Sequence, residues 1–289
     1  MNRKMRNLSY KFLSVFFVFS AYAFVPDLGH IVRHQPMILK GSPQAFTVNG
    51  TIDIDGEKAS FVLSWAGVQS GYALEVKKIP SSWMSNPESI TLIRDGSECV
   101  LLIARASFPC LPLRFWGDME FSGSGERVVQ TLAQLGVASS SDMVFRAINS
   151  KELEKKKAST IVPVVKAVQG VTLSVLEHQN KNGLFIGFDS TTFAPLSARI
   201  PVEGMNWDFN ASPDFNLEKD ENRNNVIVSK KIEISEANKT LAIVRREALK
   251  RTTKITLPTY NSKASIAQIP NDRFTDKGRL FLKVLLLTH

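Results

Sequence analysis

Short segments in which apolar and polar residues alternate, each ended by a turn, constrain the fold of this 289-residue chain more than any other feature. Residues 46–54 and 59–65 alternate in this way on either side of an Asp-Gly pair at 55–56, a dipeptide typical of two-residue hairpin turns. A second Asp-Gly pair, at 95–96, separates two further segments of the same kind. Because successive strands joined by tight turns are antiparallel, the sequence predicts an antiparallel meander.

One helical region interrupts the strands. Apolar residues recur at helical spacing after Gly125, and Gly136 is placed to end the helix. The sequence therefore predicts an α+β protein with a curved antiparallel β-sheet, a half-open barrel, that packs one or two helices on one face. We expect a β-rich domain over residues 24–258, with its helical insert near 125–157. Residues 259–289 form a C-terminal extension, either ordered or loose, in which Leu280–Leu287 is interpreted as a buried strand or a docking segment.

The first 23 residues have the three parts of a secretory signal peptide. A basic start is followed by the apolar run Leu13–Phe19 and by the small-residue pattern Ala21–Ala23, after which cleavage is expected. The run is too short for a transmembrane helix, which needs roughly 20 apolar residues; an uncleaved N-terminal anchor is the alternative. The prediction is an exported protein of the periplasm, or one secreted from the cell, whose contact with a membrane is peripheral at most.

Charge and cysteine content narrow the classes of partner. The formal net charge is +9, and the four basic residues of the signal segment account for four of these charges. The remaining charge is mild, and no basic stripe is interleaved with aromatics, so nucleic acid is not an expected partner. Cys99 and Cys110 are an even pair in an exported chain and are predicted to form a disulfide, with two buried free thiols as the alternative. Two thiols are too few for a zinc site.

The sequence offers few residues for catalysis. His30 and His34 have a spacing that could share one helix face, but no metalloprotease motif accompanies them. The Gly-Ser-Gly stretch at 123–125 lacks the lysine of a phosphate-binding loop. Asp53 and Asp55 are explained as an outward strand residue and a turn residue. We therefore predict a non-enzymatic protein without a cofactor or a metal, with an unrecognised hydrolase as the alternative.

Aromatic and aliphatic residues on the concave side of the sheet are the candidate binding residues. Alternation places five side chains on one face of two neighbouring strands: Phe61, Leu63, Trp65, Tyr72 and Leu74. Such a face could line an apolar pocket for an acyl chain. The alternative is an ordinary hydrophobic core, since buried aromatic residues are common.

The order of these elements resembles a known superfamily. A signal peptide, a meander, a strand pair around an Asp-Gly turn at Thr91–Cys99, a helical insert and long returning strands resemble the periplasmic lipoprotein carriers, the outer-membrane lipoprotein localisation factors. The likeness covers residues 25–258 in the order and kind of elements, without a shared motif, so no functional residue is carried over. No lid helix rich in apolar residues is evident.

The resemblance implies a half-open barrel capped by helices. It favours an envelope protein that binds an apolar ligand, a lipid acyl chain or a lipoprotein anchor, in the concavity of the sheet. The alternative is an interaction module that docks onto an envelope protein or a cell-wall component through a sheet edge or through residues 259–289.

Overall fold

The structure is a computed structural model that describes most of the strand-rich part of the chain. The described residues are 45–65, 71–85, 89–95, 98–103, 106–110, 115–121, 131–136, 144–148, 175–179, 183–189, 193–212, 215–219, 225–247, 249–252, 255, 258–260 and 271–289. The predicted signal peptide, His30, His34 and the Gly-Ser-Gly stretch lie outside them.

The described residues contain sixteen β-strands, all paired antiparallel. They are β1 Ala45–Ile54, β2 Glu57–Trp65, β3 Tyr72–Lys77, β4 Ile90–Asp95, β5 Glu98–Ile103, β6 Ala106–Pro109, β7 Val144–Ile148, β8 Val175–Gln179, β9 Phe185–Asp189, β10 Pro195–Val202, β11 Met205–Ala211, β12 Phe215–Lys219, β13 Asn225–Ser229, β14 Lys231–Glu236, β15 Lys239–Arg246 and β16 Lys250–Thr252.

Fourteen of these strands form one sheet. Its order is β6-β5-β4-β3-β2-β1-β15-β14-β11-β10-β9-β8-β7, with β16 also paired to β1, while β12 and β13 form a separate hairpin. Strands β1 to β6 lie side by side in chain order, and β6 forms one edge of the sheet. Strand β7 forms the opposite edge, and β15 pairs with β1. Among the described strands no pair joins β6 to β7, so the sheet is open. The predicted fold class, a curved antiparallel sheet of the α+β type, is confirmed.

Burial alternates along the central strands as the sequence pattern predicts. In β1 and β2 the buried residues lie on one face, and the half-buried Thr51 and Ser60 lie on the other. We call the first side the apolar face; the buried apolar side chains that β1 to β5 place on it are Phe46, Val48, Ile52, Ile54, Ala59, Phe61, Leu63, Trp65, Tyr72, Leu74, Val76, Ile90, Leu92, Leu101 and Ile103. Burying these side chains drives the folding of the sheet.

A glycine on β1 makes room for an aromatic ring on the apolar face. Gly50 pairs with Phe61 across β1 and β2. A Cβ atom at position 50 would collide with the Phe61 ring and with the backbone oxygen of Arg245. The Phe61 ring therefore lies across the position that a side chain of residue 50 would fill.

We expect Gly50→Ala to lower the free energy of unfolding by about 1–3 kcal/mol, the usual cost of overpacking a filled core. Urea denaturation followed by circular dichroism measures the change. The matched control is Thr51→Ala, on the opposite face of the same strand, where the loss should be smaller. Equal losses in the two variants would contradict the packing described for Phe61.

Helices pack at one side of the sheet. Helix α1 spans Phe115–Phe121 and helix α2 spans Asp276–Thr288. Within the helical insert predicted near 125–157, residues 131–134 are helical, and Gly136 has the positive φ of 69° that suits the end of a helix. Residues 144–148 of the same range form strand β7 instead of a helix. In the described residues no helix is both long enough and apolar enough to span a membrane.

The C-terminal apolar run corrects one expectation. Leu280–Leu287 belongs to α2, so the strand interpretation is wrong, and the run docks on the domain as a helix. Thr275 caps the helix: its hydroxyl accepts a hydrogen bond from the backbone N–H of Gly278 at 3.3 Å. An eight-residue apolar run fits a buried strand or a buried helix equally well, and only this cap and the full length of 13 residues favour the helix.

Candidate functional site

The five predicted ligand-binding residues lie together on the apolar face. Phe61, Leu63 and Trp65 belong to β2, and Tyr72 and Leu74 belong to β3. Leu63 pairs with Leu74 and Trp65 pairs with Tyr72. None of the five is more than 2% exposed. The structure therefore brings the five together, inside the core; their role in binding a ligand stays a prediction.

Helix α2 covers the apolar face. Its buried residues are Gly278, Phe281, Leu282, Val284, Leu285, Leu287 and Thr288. The Phe281 ring packs on Trp83, with the ring centroids 5.3 Å apart. At the C-terminal end of the helix the His289 and Phe61 rings meet in a T-shaped arrangement, with their centroids 4.8 Å apart. The sequence pattern did not predict an apolar helix at this position.

The N-terminal end of α2 is fixed on the segment that follows β3. The backbone N–H of Thr275 donates to the Trp83 carbonyl at 3.1 Å, and the Thr275 hydroxyl donates to the Ser82 carbonyl at 2.7 Å. A side chain at Gly278 would collide with the Trp83 carbonyl. Glycine at 278 therefore lets the first turn of α2 touch the backbone of this segment.

A carboxylate at the start of β2 reinforces this end. Glu57 accepts hydrogen bonds from the Ser82 hydroxyl at 2.6 Å, from Lys277 Nζ at 2.9 Å and from Trp83 Nε1 at 3.2 Å. The bonds from Ser82 and Lys277 lower the pKa of Glu57, against the opposing effect of burial. Its ionised form, which holds Lys277, is thus kept to lower pH than usual.

A buried ion pair lies under the C-terminal end of α2. Arg246 on β15 donates from Nη1 to Glu120 on α1, and their side chains are 0% and 1% exposed. Glu120 also accepts from the backbone N–H of Ser229 at 3.1 Å, and Arg246 Nη2 donates to the Thr288 carbonyl at 3.0 Å. The pair therefore connects both helices to the sheet.

His289 completes this buried cluster, which we define as Arg94, Glu120, Arg246 and His289. The His289 side chain is fully buried, with Nε2 3.4 Å from Arg246 Nη2 and Nδ1 2.9 Å from the Thr288 hydroxyl. Arg94 on β4 donates from Nη2 to the Leu286 carbonyl at 3.3 Å. Burial first, then the charges of Arg246 and Arg94, hold the pKa of His289 well below its ordinary 6.5.

The burial of Arg94 and Arg246 could have been predicted from the alternation of residues along their strands. Arg94 pairs with Tyr72, and Arg246 pairs with Gly50, so strand alternation places both arginines on the apolar face. A charged side chain on a face that is otherwise buried and apolar needs an oppositely charged or hydrogen-bonding group beside it. The partner of Arg246, Glu120, is 126 residues away in the chain, and alternation carries no information about that pairing.

The remaining residues singled out from the sequence lie outside this cluster. Cys99 and Cys110 are joined by a disulfide, with their Cα atoms 5.2 Å apart, at the β5–β6 edge of the sheet. The Asp53 carboxylate accepts from the backbone N–H of Gly56 at 3.0 Å and lies 3.3 Å from Arg245, as expected of a strand end next to a turn. Within the described part of the chain, no group of three or more His, Cys, Asp or Glu side chains is placed to hold a metal ion.

Comparison with known proteins gives structural likenesses only. No family model matches the chain, and no curated protein matches it. A solved LolA superfamily protein from Nitrosomonas europaea is similar over 85% of this chain and 96% of its own, at a TM-score of 0.39 and 11% identity.

Two further solved structures are similar at lower scores. The complex of MucA and MucB from Pseudomonas aeruginosa has a TM-score of 0.32 at 9% identity, over 80% of this chain and 59% of that chain. LprF from Mycobacterium bovis has a TM-score of 0.26 at 8% identity, over 80% and 96%. At these values the likenesses say nothing about what this chain binds, so the function is argued from its own geometry.

Proposed function

We propose that the protein is an exported envelope protein that binds an apolar chain, a lipid acyl chain or a lipoprotein anchor, against the apolar face of its sheet. The observation that carries the proposal is that helix α2 covers this face, with an apolar side of its own. In this proposal α2 occupies the ligand site in the free protein and leaves it when the ligand enters.

The exchange of helix for ligand is energetically feasible because both cover the same apolar surface. Burying an acyl chain gains about 0.8 kcal/mol per CH₂ group, and undocking α2 loses a comparable apolar burial. The sheet stays dry in both states, so neither state has to expose the rings of Phe61 and Trp65 to water.

The way α2 is attached supports its role as the element that moves. The strands of the sheet are held by continuous backbone ladders. The described contacts of α2 with the rest of the protein are apolar packing along its length, hydrogen bonds at its two ends, and an ion pair from the mid-helix residue Lys283 to Glu203 in the turn between β10 and β11. An element held in this way can leave without breaking the sheet.

Tryptophan quenching by 9,10-dibromostearate tests the proposal, because bromine quenches an indole only at close range. We expect saturable quenching with the brominated acid and none with stearate. Trp65→Phe should remove most of the quenching, since Trp65 lies on the proposed site. Trp207→Phe is the matched control: Trp207 is a buried tryptophan on β11, four strands from β2, and its loss should leave most of the quenching.

Two results would count against the proposal. One is the absence of quenching together with the absence of lipid co-purified with the protein in native mass spectrometry. The other is quenching that the Trp65→Phe and Trp207→Phe variants lose equally, which would indicate contact that is not specific to β2 and the strands beside it.

A further inference from the structure

We propose that His289 makes the docking of α2 sensitive to acid: protonation of its imidazole releases the C-terminal end of α2 from the sheet and uncovers the apolar face. The inference goes beyond the proposed function, because the opening needs no ligand and is measured without one.

The hydrogen bonds around His289 fix its tautomer. The Thr288 hydroxyl donates its single proton to the Val284 carbonyl at 2.7 Å, so towards Nδ1 of His289, 2.9 Å away, it can only accept. Nδ1 therefore carries the proton, and the lone pair of Nε2 faces Arg246 Nη2 at 3.4 Å. This arrangement requires the neutral imidazole.

Protonation turns this contact from attraction into repulsion. A second proton, on Nε2, would point an N–H at the N–H of the Arg246 guanidinium and place two like charges 3.4 Å apart. The Phe61 ring closes another side of the imidazole, 4.8 Å away. Because the site is buried, the repulsion between the two charges is weakly screened. Movement of the end of α2 that carries His289 would separate the charges and remove this repulsion.

The charged side chains with described contacts around the imidazole are two arginines and one glutamate, and Gly117 of α1 lies against the backbone of His289. Arg246 faces it from β15, and Arg94 reaches the same end of α2 from β4. Glu120, on α1, directs one carboxylate oxygen to Arg246 Nη1 and the other to the Ser229 backbone N–H. Glu120 thus contacts Nη1 of the Arg246 guanidinium, whereas the nitrogen that faces His289 is Nη2.

The direction of the pH effect follows from proton linkage. Burial and the charge of Arg246 lower the pKa of His289 in the docked state, and Arg94 adds to this effect; a hydrogen bond with the Leu285 backbone raises the pKa but does not reverse the shift. Released His289 regains an ordinary pKa near 6.5. Above pH 6.5 the imidazole of His289 is neutral in both states, so its titration does not affect the docking of α2. Below pH 6.5 the ratio of docked to released helix falls by up to about tenfold per pH unit.

Hydrogen–deuterium exchange of the peptide that contains α2 tests the proposal. Protection factors, corrected for the intrinsic pH dependence of exchange, are compared at pH 7.5 and pH 5.5. For the unmodified chain we expect a fall of up to about tenfold over residues 280–289. His289→Gln removes the titrating group and should abolish the fall, while His178→Gln on β8 should keep it.

An equal fall in His289→Gln, or no fall in the unmodified chain, would overturn the proposal. If His289→Gln does not fold, exchange at the imidazole carbon between the ring nitrogens gives the titration of His289 in the unmodified chain. Titration below pH 6.5 that coincides with the opening of α2 supports the proposal. Titration at or above pH 6.5 overturns it. Failure of the dibromostearate experiment alone would leave this result intact.

Discussion

Arg246→Met is expected to lower the free energy of unfolding by about 3–5 kcal/mol, because it leaves a carboxylate buried without its partner. Of its partners among the described residues, Glu120 would keep only the Ser229 backbone N–H, in a site where both side chains are at most 1% exposed. The Thr288 carbonyl would also lose its bond from Arg246. Urea denaturation followed by circular dichroism measures the loss.

The neighbouring residue provides a matched control. Arg245 lies on the same strand with its side chain on the other face, 46% exposed and 3.3 Å from Asp53. Exposed pairs of this kind contribute about 0–1 kcal/mol, so Arg245→Met should change stability little. Glu120→Met combined with Arg246→Met should recover part of the loss, since removing both charges leaves neither one unpaired. Similar losses for Arg245→Met and Arg246→Met would contradict the buried pair.

Phe281→Ala is expected to cost about 3–5 kcal/mol, the range found when a fully buried phenylalanine is truncated in a core. Phe281 is 0% exposed and packs on Trp83, in the segment that follows β3. Because the loss falls on the docked helix, the variant should also bind the apolar dye ANS more strongly than the unmodified chain does. Thermal or urea unfolding and dye fluorescence measure the two effects.

The adjacent residue Leu280 is the control for this variant. It lies on the same helix but is only half-buried, so Leu280→Ala removes less buried surface and should cost less. If Phe281→Ala lowers the free energy of unfolding no more than Leu280→Ala does, α2 is not packed as described. The conclusion that α2 covers the apolar face would then be wrong.

The central strands could be predicted from the sequence because their information is local. Alternation and the Asp-Gly turn at 55–56 specify β1, β2 and their pairing, so the shared face of Phe61, Leu63 and Trp65 follows from two adjacent segments. The same reasoning extends to Tyr72 and Leu74 on β3.

The cover of this face could not be predicted in the same way. In the described residues, the apolar side of α2 meets the rest of the protein through contacts between residues about 200 positions apart, such as Trp83 with Phe281. Helix α1 was missed because seven residues give too short a sample of helical periodicity. The buried cluster was missed because its charges are contributed by β4, α1, β15 and the end of α2, and their meeting depends on how the helices pack.

The most direct test of the account is hydrogen–deuterium exchange over residues 276–288 with and without a saturating amount of stearate. If the ligand takes the place of α2, this helix loses protection when stearate binds, while β2 and β3 keep theirs. Unchanged or increased protection of α2 at saturation would mean that the ligand binds elsewhere, and the proposal that the apolar face is the binding site would be wrong.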